Sequence, residues 1–442
     1  MMVIFWVACQ SMEVDEVGAE EVHSAEIQPV YQELNSLLDE NPDPNIVEVS
    51  LWASHYLHQF QSENLSEIEG YAYNDQFPGP LIEAEVGNQL IVHFENRLDT
   101  PTTVHWHGLK ALEEMDGVPW IRGAIEPSEG YTYIHNVEQS GVFWYHPHFD
   151  TEHQVDYGLY GMLLVRDASW PVVDSEVALL IDDWPVPSDL EHSMHHDFYQ
   201  EGIWLVNGVE SPKLEVSGST LLHIVNTSNH HYVDLSMDYA QWIGNDQGLL
   251  QSPQERMLLA PGDRGMLLVE APAGTVELLR HPFSPHGGVA LGEVESILTL
   301  ENEMTAPSVA VDFSEVLPSE DPGYTDLTYV FQGDPYTDTW LINGESFPEV
   351  TIESLPFGEE AIMEIRNISA VHHPFHLHGL TFEVLSIDGV PPLYRRIEDT
   401  IDMGIYQNIR LKVLADNAGD WMMHCHILPH GDQGMMTVLR VE

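Results

Sequence analysis

Four histidine pairs in this sequence share the spacing His-x-His. They are His105/His107, His146/His148, His376/His378 and His424/His426. Residues two apart on a β-strand project from the same face, so each pair can offer two imidazoles to one centre. Imidazoles without accompanying acids favour copper, zinc, iron or nickel. One such pair is common on a protein surface, but four pairs in matched register predict a metal cluster.

The last pair encloses a cysteine, Cys425, and is followed by His430 and Met435. Because neighbouring residues on a strand alternate, Cys425 faces away from the two histidines beside it. Cys425, His430 and an upstream histidine, best supplied by His373, make a His₂Cys set. Met435 as a weak axial ligand completes the pattern typical of blue copper. The spacing thus predicts one strand that contacts two metal centres, with a covalent electron route of one residue between them.

The pairs recur at fixed distances from two landmark residues. His105/His107 follow Asn96 by nine and eleven residues, as His376/His378 follow Asn367; His146/His148 follow Gly141 by five and seven, as His424/His426 follow Gly419. A middle copy keeps the landmarks as Asn226 and Gly274. It carries Leu235, Met237, Leu279 and only one histidine, His281, at the corresponding positions. The chain therefore contains three copies of one unit, and the middle copy has lost its ligands.

Each copy must position its pairs on short strands. Glycine and proline are frequent (32 and 28 residues), and alternating apolar runs with turn signals favour Greek-key β-sandwiches over helices. We expect an all-β chain with sandwich domains at 46–168, 172–302 and 325–442. The composition of the proline-rich acidic stretch between the last two domains predicts a linker. That of residues 1–45 predicts a leader followed by an acidic tether.

The motif segments resemble the four copper-binding motifs of multicopper oxidases, most closely those of bacterial three-domain laccases and cuprous oxidases. The segments are His105-Trp106-His107-Gly108, His146-Pro147-His148, His373 to Gly379 and His424 to Met436. The resemblance runs from the first domain to the C-terminus. It implies three consecutive cupredoxin-like domains. It also implies an oxidase that couples one-electron oxidation of a phenolic, aromatic or metal-ion reductant to four-electron reduction of O₂ to water.

The resemblance also implies a role for each ligand, and four copper ions in total. A type 1 copper would be held by His373, Cys425 and His430, with Met435 axial. A type 2 copper would be held by His105 and His376. The two type 3 coppers would take His107, His146, His148, His378, His424 and His426. Electrons would pass from Cys425 through its neighbours His424 and His426.

Asp116 lies eleven residues after His105, where family members place an acid that helps deliver protons to the oxygen centre. An Asp before a Gly is also an ordinary turn former. Many bacterial members carry a glutamate just before the last type 1 histidine, but this chain has Pro429 there. We therefore expect the proton-transfer role to fall on Asp116.

The charge balance excludes some partners. Asp and Glu total 72 against 14 Lys and Arg, a formal net charge of −58. Such a surface repels nucleic acid and anionic membranes. It indicates adaptation to salty water, a surface that concentrates cationic substrates, or both. The expected partners are O₂ and a small-molecule or metal-ion reductant, and we expect a monomer.

The chain has two cysteines, too few for a disulfide framework. Cys9 ends a short apolar leader whose Val7-Ala8-Cys9 resembles the end of a bacterial lipoprotein signal. The leader is short and lacks a basic first segment, as a start codon assigned too late would explain. We expect an exported protein, periplasmic or at the cell surface, with a possible lipid anchor at Cys9. The alternative is a frayed terminus.

Other functions compete with a laccase-type oxidase. A periplasmic cuprous oxidase for copper tolerance is the nearest, although the chain has no long Met-rich insertion. A non-catalytic copper-binding protein would not need all eight paired histidines, and a copper-free relative should have lost some of them. The run from His192 to Asp197 is either an extra copper site or, as is more usual, a polar loop.

Overall fold

The computed structural model describes residues 31–60, 62, 65, 67–184, 202–288, 290, 292–313 and 316–442. Within these residues β-strands dominate, and the α-helices are only four to six residues long. None of the helices described is long and apolar enough to cross a membrane. Cys9 and the run from His192 to Asp197 lie outside the described residues.

The first sandwich consists of two four-stranded sheets. Its strands are β1 Ile46–Gln59, β2 Glu67–Tyr73, β3 Ile82–Glu85, β4 Gln89–Asn96, β5 His105–His107, β6 Gly130–Asn136, β7 Gly141–His146 and β8 Gly161–Arg166. The strand orders are β2-β1-β4-β6 and β3-β8-β7-β5. Between strands lie a 3₁₀ turn, Glu113–Met115, and the helices α1 Pro119–Arg122 and α2 Thr151–Asp156.

The second sandwich pairs a seven-stranded sheet with a five-stranded one. Its strands are β9 Ser175–Trp184, β10 Ile203–Val206, β11 Val209–Glu210, β12 Lys213–Val216, β13 Thr220–Asn226, β14 Val233–Met237, β15 Ala240–Asn245, β16 Gly248–Gln254, β17 Arg256–Leu259, β18 Arg264–Val269, β19 Gly274–His281 and β20 Glu295–Asn302. The orders are β11-β10-β9-β13-β18-β15-β16 and β12-β20-β19-β14-β17.

The third sandwich pairs a six-stranded sheet with a five-stranded one. Its strands are β21 Leu327–Asp334, β22 Thr339–Ile342, β23 Glu353–Leu355, β24 Glu360–Asn367, β25 His373–Leu377, β26 Phe382–Ile387, β27 Ile397–Glu398, β28 Thr400–Met403, β29 Asn408–Leu414, β30 Gly419–Cys425 and β31 Met436–Val441, with helix α3 at Leu428–Asp432. The orders are β22-β21-β24-β29-β26-β27 and β23-β31-β30-β25-β28. The predicted all-β fold of three consecutive sandwiches is confirmed.

The strands form where apolar residues alternate with polar ones. In β4, Leu90, Val92 and Phe94 are buried, whereas His93 and Glu95 between them are exposed. This period of two places one face of a strand in the core and the other in water. Strand β7 departs from the rule because all six of its residues are buried. Its outer face packs beside β13 and β18 of the second sandwich, so β7 belongs to an interface between domains.

The repeated segments occupy equivalent places in the three sandwiches. Each uses two adjacent antiparallel strands of one sheet: β5 and β7, β14 and β19, or β25 and β30. In the middle copy, Leu235 and Met237 are buried in the core of the second sandwich. The same backbone scaffold is therefore present three times, and the middle copy fills it with apolar packing.

Two segments pack more closely than a tether and a linker require. Residues 31–45 were expected to belong to a tether, but Leu34 is buried and the Tyr31 hydroxyl donates to the Ala178 carbonyl at 3.0 Å. Val309 and Phe313, in the segment between the last two sandwiches, pack against the same core cluster as Leu34. Both segments are held in place by a few isolated apolar residues. Such residues are too widely spaced to give a periodic pattern in the sequence.

Acidic side chains are buried where the first two sandwiches meet. Tyr160 donates its hydroxyl proton to Asp182 at 2.7 Å, and His231 Nδ1 lies 2.6 Å from Asp183. Burial and the neighbouring Asp183 raise the pKa of Asp182 to about 8. The folded chain therefore holds a proton on Asp182 that the unfolded chain has already released above about pH 4. The stability that this proton supplies is lost as pH rises through about 8.

We expect Asp182→Asn to stabilise the protein at pH 9 more than at pH 5, because Asn still accepts the Tyr160 hydrogen bond but never ionises. The melting temperature at pH 9 should rise by about 1 °C per kcal/mol regained, because the unfolding entropy of a chain of 442 residues is large. Thermal unfolding followed by circular dichroism at both pH values measures this. The exposed Asp238, changed to Asn, is the control for the altered net charge. Equal shifts at both pH values would contradict a raised pKa for Asp182.

Candidate metal centres

The eight paired histidines meet where the first sandwich packs against the third. His105 pairs with His146 across β5 and β7, and His376 pairs with His424 across β25 and β30. The two strand pairs face each other so closely that the rings of His107 and His376 stack with centroids 3.8 Å apart. Each sandwich contributes two of the four pairs, so the centre exists only at this interface.

Within the centre, the ring nitrogens form three compact groups. In each group one nitrogen per residue lies within 4.8 Å of the other two: His105, His107 and His376; His107, His146 and His426; His148, His378 and His424. The last two groups together contain all six histidines that the resemblance assigns to the type 3 pair. The first contains both type 2 histidines. The geometry thus allows three metal ions at adjoining positions.

The second members of three pairs lie just past the strands that position them. Strands β7, β25 and β30 end one or two residues before His148, His378 and His426. The backbone N–H of His426 still bonds the Pro374 carbonyl at 2.8 Å, and that of His148 bonds Thr103 Oγ1. At these strand ends the backbone N–H groups therefore bond a side chain or a carbonyl beyond the paired part of the neighbouring strand. Only His105 and His107 both lie on a strand, as the spacing predicted for all four pairs.

Backbone carbonyl groups orient four of the rings. The residues His105, His146, His376 and His424 each place Nδ1 2.8–3.0 Å from a carbonyl oxygen. A carbonyl only accepts, so each Nδ1 carries the proton and each Nε2 keeps a free lone pair. Within the described chain, Nε2 of His105, His146 and His376 is buried without a hydrogen-bond partner. Metal-ligating histidines typically donate their other N–H in this way, so these residues fit a bound metal.

His107 is oriented the opposite way round. Its Nε2 lies 3.0 Å from Thr400 Oγ1 and 3.4 Å from Asp399 Oδ1. Its Nδ1 is buried with no hydrogen-bond partner among the described residues. Because the carboxylate beside it can only accept, Nε2 carries the proton and Nδ1 presents the lone pair. His107 therefore differs from its neighbours in the nitrogen that it can offer to a metal.

Burial keeps these imidazoles neutral. It lowers the pKa of His146, His424 and His426 well below the usual value, and neighbouring histidines lower it further. The pKa of His148 falls to about 3 for the same reasons. A neutral imidazole has the lone pair that metal binding needs, whereas a protonated one does not. The centre therefore does not need to lose protons at neutral pH before it binds metal.

Asp116 lies at the edge of this centre, as the sequence analysis expected, and is fully buried. His378 Nδ1 donates to its Oδ2 at 2.7 Å, while the Asp116 carbonyl accepts from His105 Nδ1 at 2.8 Å. Burial raises the pKa of Asp116, but His378 and then His105 outweigh burial and hold it well below the usual range. Asp116 therefore bridges ligands of two sandwiches as a charged carboxylate.

A second centre lies inside the third sandwich. Cys425 Sγ is 3.4 Å from His373 Nδ1 and 3.5 Å from His430 Nδ1, and all three side chains are buried. Met435 is fully buried in the same core cluster as Cys425. Its backbone N–H bonds the His430 carbonyl at 2.9 Å, and its carbonyl accepts from the Cys425 N–H at 3.1 Å. The four residues predicted to hold type 1 copper are thus brought together.

Strand alternation separates the two centres. On β30, His424 pairs with His376 in the interface, whereas Cys425 pairs with Phe375 and belongs to the core of the third sandwich. Helix α3 then returns the chain so that His430 reaches the sulfur of Cys425. Thiolate sulfur with two imidazoles suits copper, and all-imidazole groups suit copper as well. The donor sets therefore fit copper at both centres.

Several side chains that contact the ligands could not be recognised from the sequence. Trp340 stacks on His430 with centroids 3.6 Å apart, and Ser369 Oγ lies 2.8 Å from His373 Nε2. Thr400, Asp399 and Arg264 lie behind the interface histidines. None of these five residues lies in the four histidine-containing motif segments.

Three other histidines, outside the two centres, have local partners. His231 bonds Asp183, His372 Nδ1 lies 2.8 Å from Asp402, and His281 Nε2 lies 2.8 Å from Ser236 Oγ. In the described part of the chain, every group of three potential metal ligands draws on the first or third sandwich. The ligand pairs of the middle copy are therefore replaced by packing and local hydrogen bonds.

Three β-sandwiches with a Cys-His centre and an interdomain eight-histidine centre define a copper oxidase class, and comparisons with known proteins agree. Two family models, both described as multicopper oxidase, match residues 58–169 and 318–442. The multicopper oxidase mco of Staphylococcus epidermidis is 30% identical over 408 residues, covering 87% of this chain and 86% of the relative. Multicopper oxidase MmcO of Mycobacterium tuberculosis is 27% identical, covering 84% and 83%.

Among solved structures, a Campylobacter jejuni multicopper oxidase described as a metallo-oxidase aligns with a TM-score of 0.80. It is 25% identical and covers 94% of this chain and 95% of its own. The chain belongs to the multicopper oxidase family and has the cupredoxin-like fold. It is a copper-dependent oxidase that uses O₂ and a reductant.

The two centres should be separable by substitution. We expect Cys425→Ser to abolish the blue colour while copper stays bound at the interface, because the thiolate belongs only to the second centre. His426→Asn should do the reverse, keeping the blue band and losing interface copper. Visible absorption together with metal analysis measures both. A colourless His426→Asn protein, or a blue Cys425→Ser protein, would show that the residues are assigned to the wrong centres.

Asp116→Asn should lower turnover by about 10- to 100-fold, the range found when partners of metal ligands are removed. Asn can still accept from His378 but carries no charge and binds no proton, so the blue band should remain. Stopped-flow measurements should show that reoxidation by O₂ slows more than reduction by substrate. The exposed Glu114 on the same turn, changed to Gln, is the control. Parent-rate reoxidation in Asp116→Asn would assign proton transfer to another acid.

Proposed function

We propose that this chain oxidises its reductant at the Cys425 centre and reduces O₂ to water by four electrons at the eight-histidine centre. The observation that carries the proposal is the placement of β30. Its residue Cys425 belongs to one centre, and its neighbours His424 and His426 belong to the other. Bound copper would supply the one-electron chemistry at both centres. The protein joins them by a covalent path one residue long.

The proposed ligand roles follow from the groups described above. His373, Cys425 and His430 would hold a type 1 copper, with Met435 of the same core cluster as a further donor. His105 and His376 would hold a type 2 copper. Of the type 3 pair, one ion would be held by His107, His146 and His426 and the other by His148, His378 and His424. This division gives four copper ions and leaves none of the paired histidines without a role.

The buried interface serves the oxygen chemistry in two ways. Fully buried imidazoles and tryptophans, among them Trp144 beside His146, exclude bulk water from the centre. Asp116 is the carboxylate held by both His105 and His378. We propose that Asp116 holds and passes the protons that the reduction of O₂ consumes, since Pro429 cannot carry a proton. Excluding bulk water while admitting protons at one point limits side reactions at the centre.

The reductant is proposed to be a small cation, a metal ion in particular, within the wider class of phenolic, aromatic and metal-ion donors. Thirteen of the 14 basic residues form ion pairs with acids, and the remaining one, Arg122, lies over the Tyr131 ring at 3.6 Å. The net charge of −58 therefore favours the approach of cations over that of anions. The metallo-oxidase description of the Campylobacter jejuni relative supports the same choice.

Export is part of the proposal. Copper oxidases that act on external metal ions need access to the outside, and the leader ending at Cys9 resembles a lipoprotein signal. We propose a periplasmic or surface-attached monomer held by a lipid on Cys9. The acidic surface would keep it away from anionic lipid while the anchor retains it.

Oxygen uptake by the copper-loaded protein tests the function. With Cu(I), a phenol and a sulfonated dye as reductants, we expect four reductant molecules oxidised per O₂ and no accumulation of peroxide. Cys425→Ser should consume no oxygen with any of them. Peroxide as the main product would contradict four-electron reduction. Copper binding without oxygen uptake would favour the non-catalytic alternative.

The same assay distinguishes the classes of reductant. Added salt screens the acidic surface, so kcat/KM for a cationic reductant should fall with ionic strength and that for the sulfonated dye should rise. A phenol, being neutral, is the internal control and should change little. A phenol turned over far faster than Cu(I) at low salt would overturn the proposed metal-ion preference while leaving the oxidase function intact.

A further inference from the structure

The middle sandwich has no ligand in either centre, yet one of its side chains reaches the interface. Arg264, the first residue of β18, is buried to 1% exposure. Its Nε donates to the Val142 carbonyl of the first sandwich at 2.9 Å. Its Nη1 donates to Asp399 Oδ1 of the third sandwich at 2.7 Å, and its Nη2 bonds the other oxygen of the same carboxylate. One guanidinium therefore joins all three sandwiches.

Asp399 and Thr400 connect this guanidinium to the histidines. Thr400 Oγ1 donates to Asp399 Oδ1 at 2.8 Å and lies 3.0 Å from both His107 Nε2 and His376 Nδ1. The Asp399 carbonyl accepts from His376 Nδ1 at 3.0 Å. Asp399 and Thr400 thus contact one histidine from the first sandwich and one from the third. These contacts direct Nδ1 of His107 and Nε2 of His376 towards the metal centre.

The chain makes room for this arrangement at the residue after the first histidine pair. A Cβ on Gly108 would lie 2.3 Å from Arg264 Nη2 and 2.9 Å from Asp399 Oδ2. Gly108 also has a φ of +85°, which side chains rarely adopt. Gln247 of the second sandwich fills the remaining space, donating to the Gly108 carbonyl at 3.2 Å and to the Asp399 carboxylate.

We propose that Arg264 of the middle sandwich is a positioning residue for the eight-histidine centre: through Asp399 and Thr400 it fixes the ring orientations of His107 and His376. This inference rests on the proposed function, because it takes the eight histidines to be copper ligands whose rings must be oriented before the metal binds. An arginine suits this position because its planar guanidinium can bond both oxygens of the Asp399 carboxylate and still donate its Nε–H to Val142. A lysine ammonium lacks this two-pronged planar geometry.

The middle sandwich therefore does more than separate the other two. A spacer would need only apolar packing, whereas Arg264 is a buried charge with carboxylates on two sides, Asp399 and Asp246. Removing one partner of such a set leaves the others unpaired and the carboxylate free to move. Movement of Asp399 would release His107 to turn, and His107 is the ring whose orientation differs from that of its neighbours.

The experiment measures copper at the interface separately from the blue copper. Arg264→Gln and Thr400→Val should each weaken interface copper binding by about 10- to 100-fold, while the blue band is kept. Thr400→Ser keeps the hydroxyl and should restore parent affinity. Metal analysis after dialysis against graded chelator, with visible absorption of the same samples, gives both quantities. Because Arg264→Gln leaves buried carboxylates unpaired and can fail to fold, the Thr400 pair of variants decides the outcome in that case.

Tyr232→Phe is the matched control, since Tyr232 also joins the middle and third sandwiches, through Asp402 at 2.9 Å, but contacts neither His107 nor His376. It should retain interface copper. Parent affinity in Thr400→Val, or an equal loss in Tyr232→Phe, would overturn the positioning role. Parent protein that binds no interface copper at all would instead show that the proposed function has failed.

Discussion

The packing of the first sandwich against the third is the constraint on which the rest of the structure depends. Each contributes two histidine pairs, and ring centroids such as those of His107 and His376 approach to 3.8 Å across the boundary. Displacement of one sandwich by a few ångströms would separate every group of three nitrogens. Contacts that tie the sandwiches together therefore also act on metal binding.

Burial of the histidines at the interface lowers the stability of the folded chain but also prepares the imidazoles for metal binding. A buried nitrogen without a hydrogen-bond partner costs about 1–3 kcal/mol, and several imidazoles here present one. The same burial lowers their pKa values, so the lone pairs are available at neutral pH. A bound metal takes those lone pairs and offsets the cost, which couples metal binding to stability.

Charge is distributed very unevenly between surface and interior. With 14 basic residues against 72 acidic ones, most acids on the surface have no cation beside them. Yet Arg264 is buried among carboxylates at the junction of all three sandwiches. Its partner Asp399 is buried beside ligands of both halves of the centre. One of only 14 basic residues is therefore buried at this junction, where its ion pairs fix the relative positions of the three sandwiches.

Residues governed by local periodicity could be predicted from the sequence alone. The distances from Asn96 and Asn367 to the histidine pairs, and the alternation around Cys425, depend only on strand geometry. They predicted three sandwiches, a ligand-free middle copy and two centres sharing one strand. Asp116 was found through its family motif, and the structure adds its contact with His378 from the third sandwich.

Tertiary structure alone decided the contacts between residues far apart in the chain. Asp399, Thr400, Arg264 and Trp340 approach the ligands only because separate sandwiches or distant strands meet there. The packing of Leu34 and Phe313 likewise depends on surfaces that other segments supply. The side-chain pattern of a strand repeats every two residues, so it can be recognised in the sequence. An interface joins residues that have no fixed spacing along the chain. The ligands could therefore be predicted from the sequence, and the side chains that hold them in place could not.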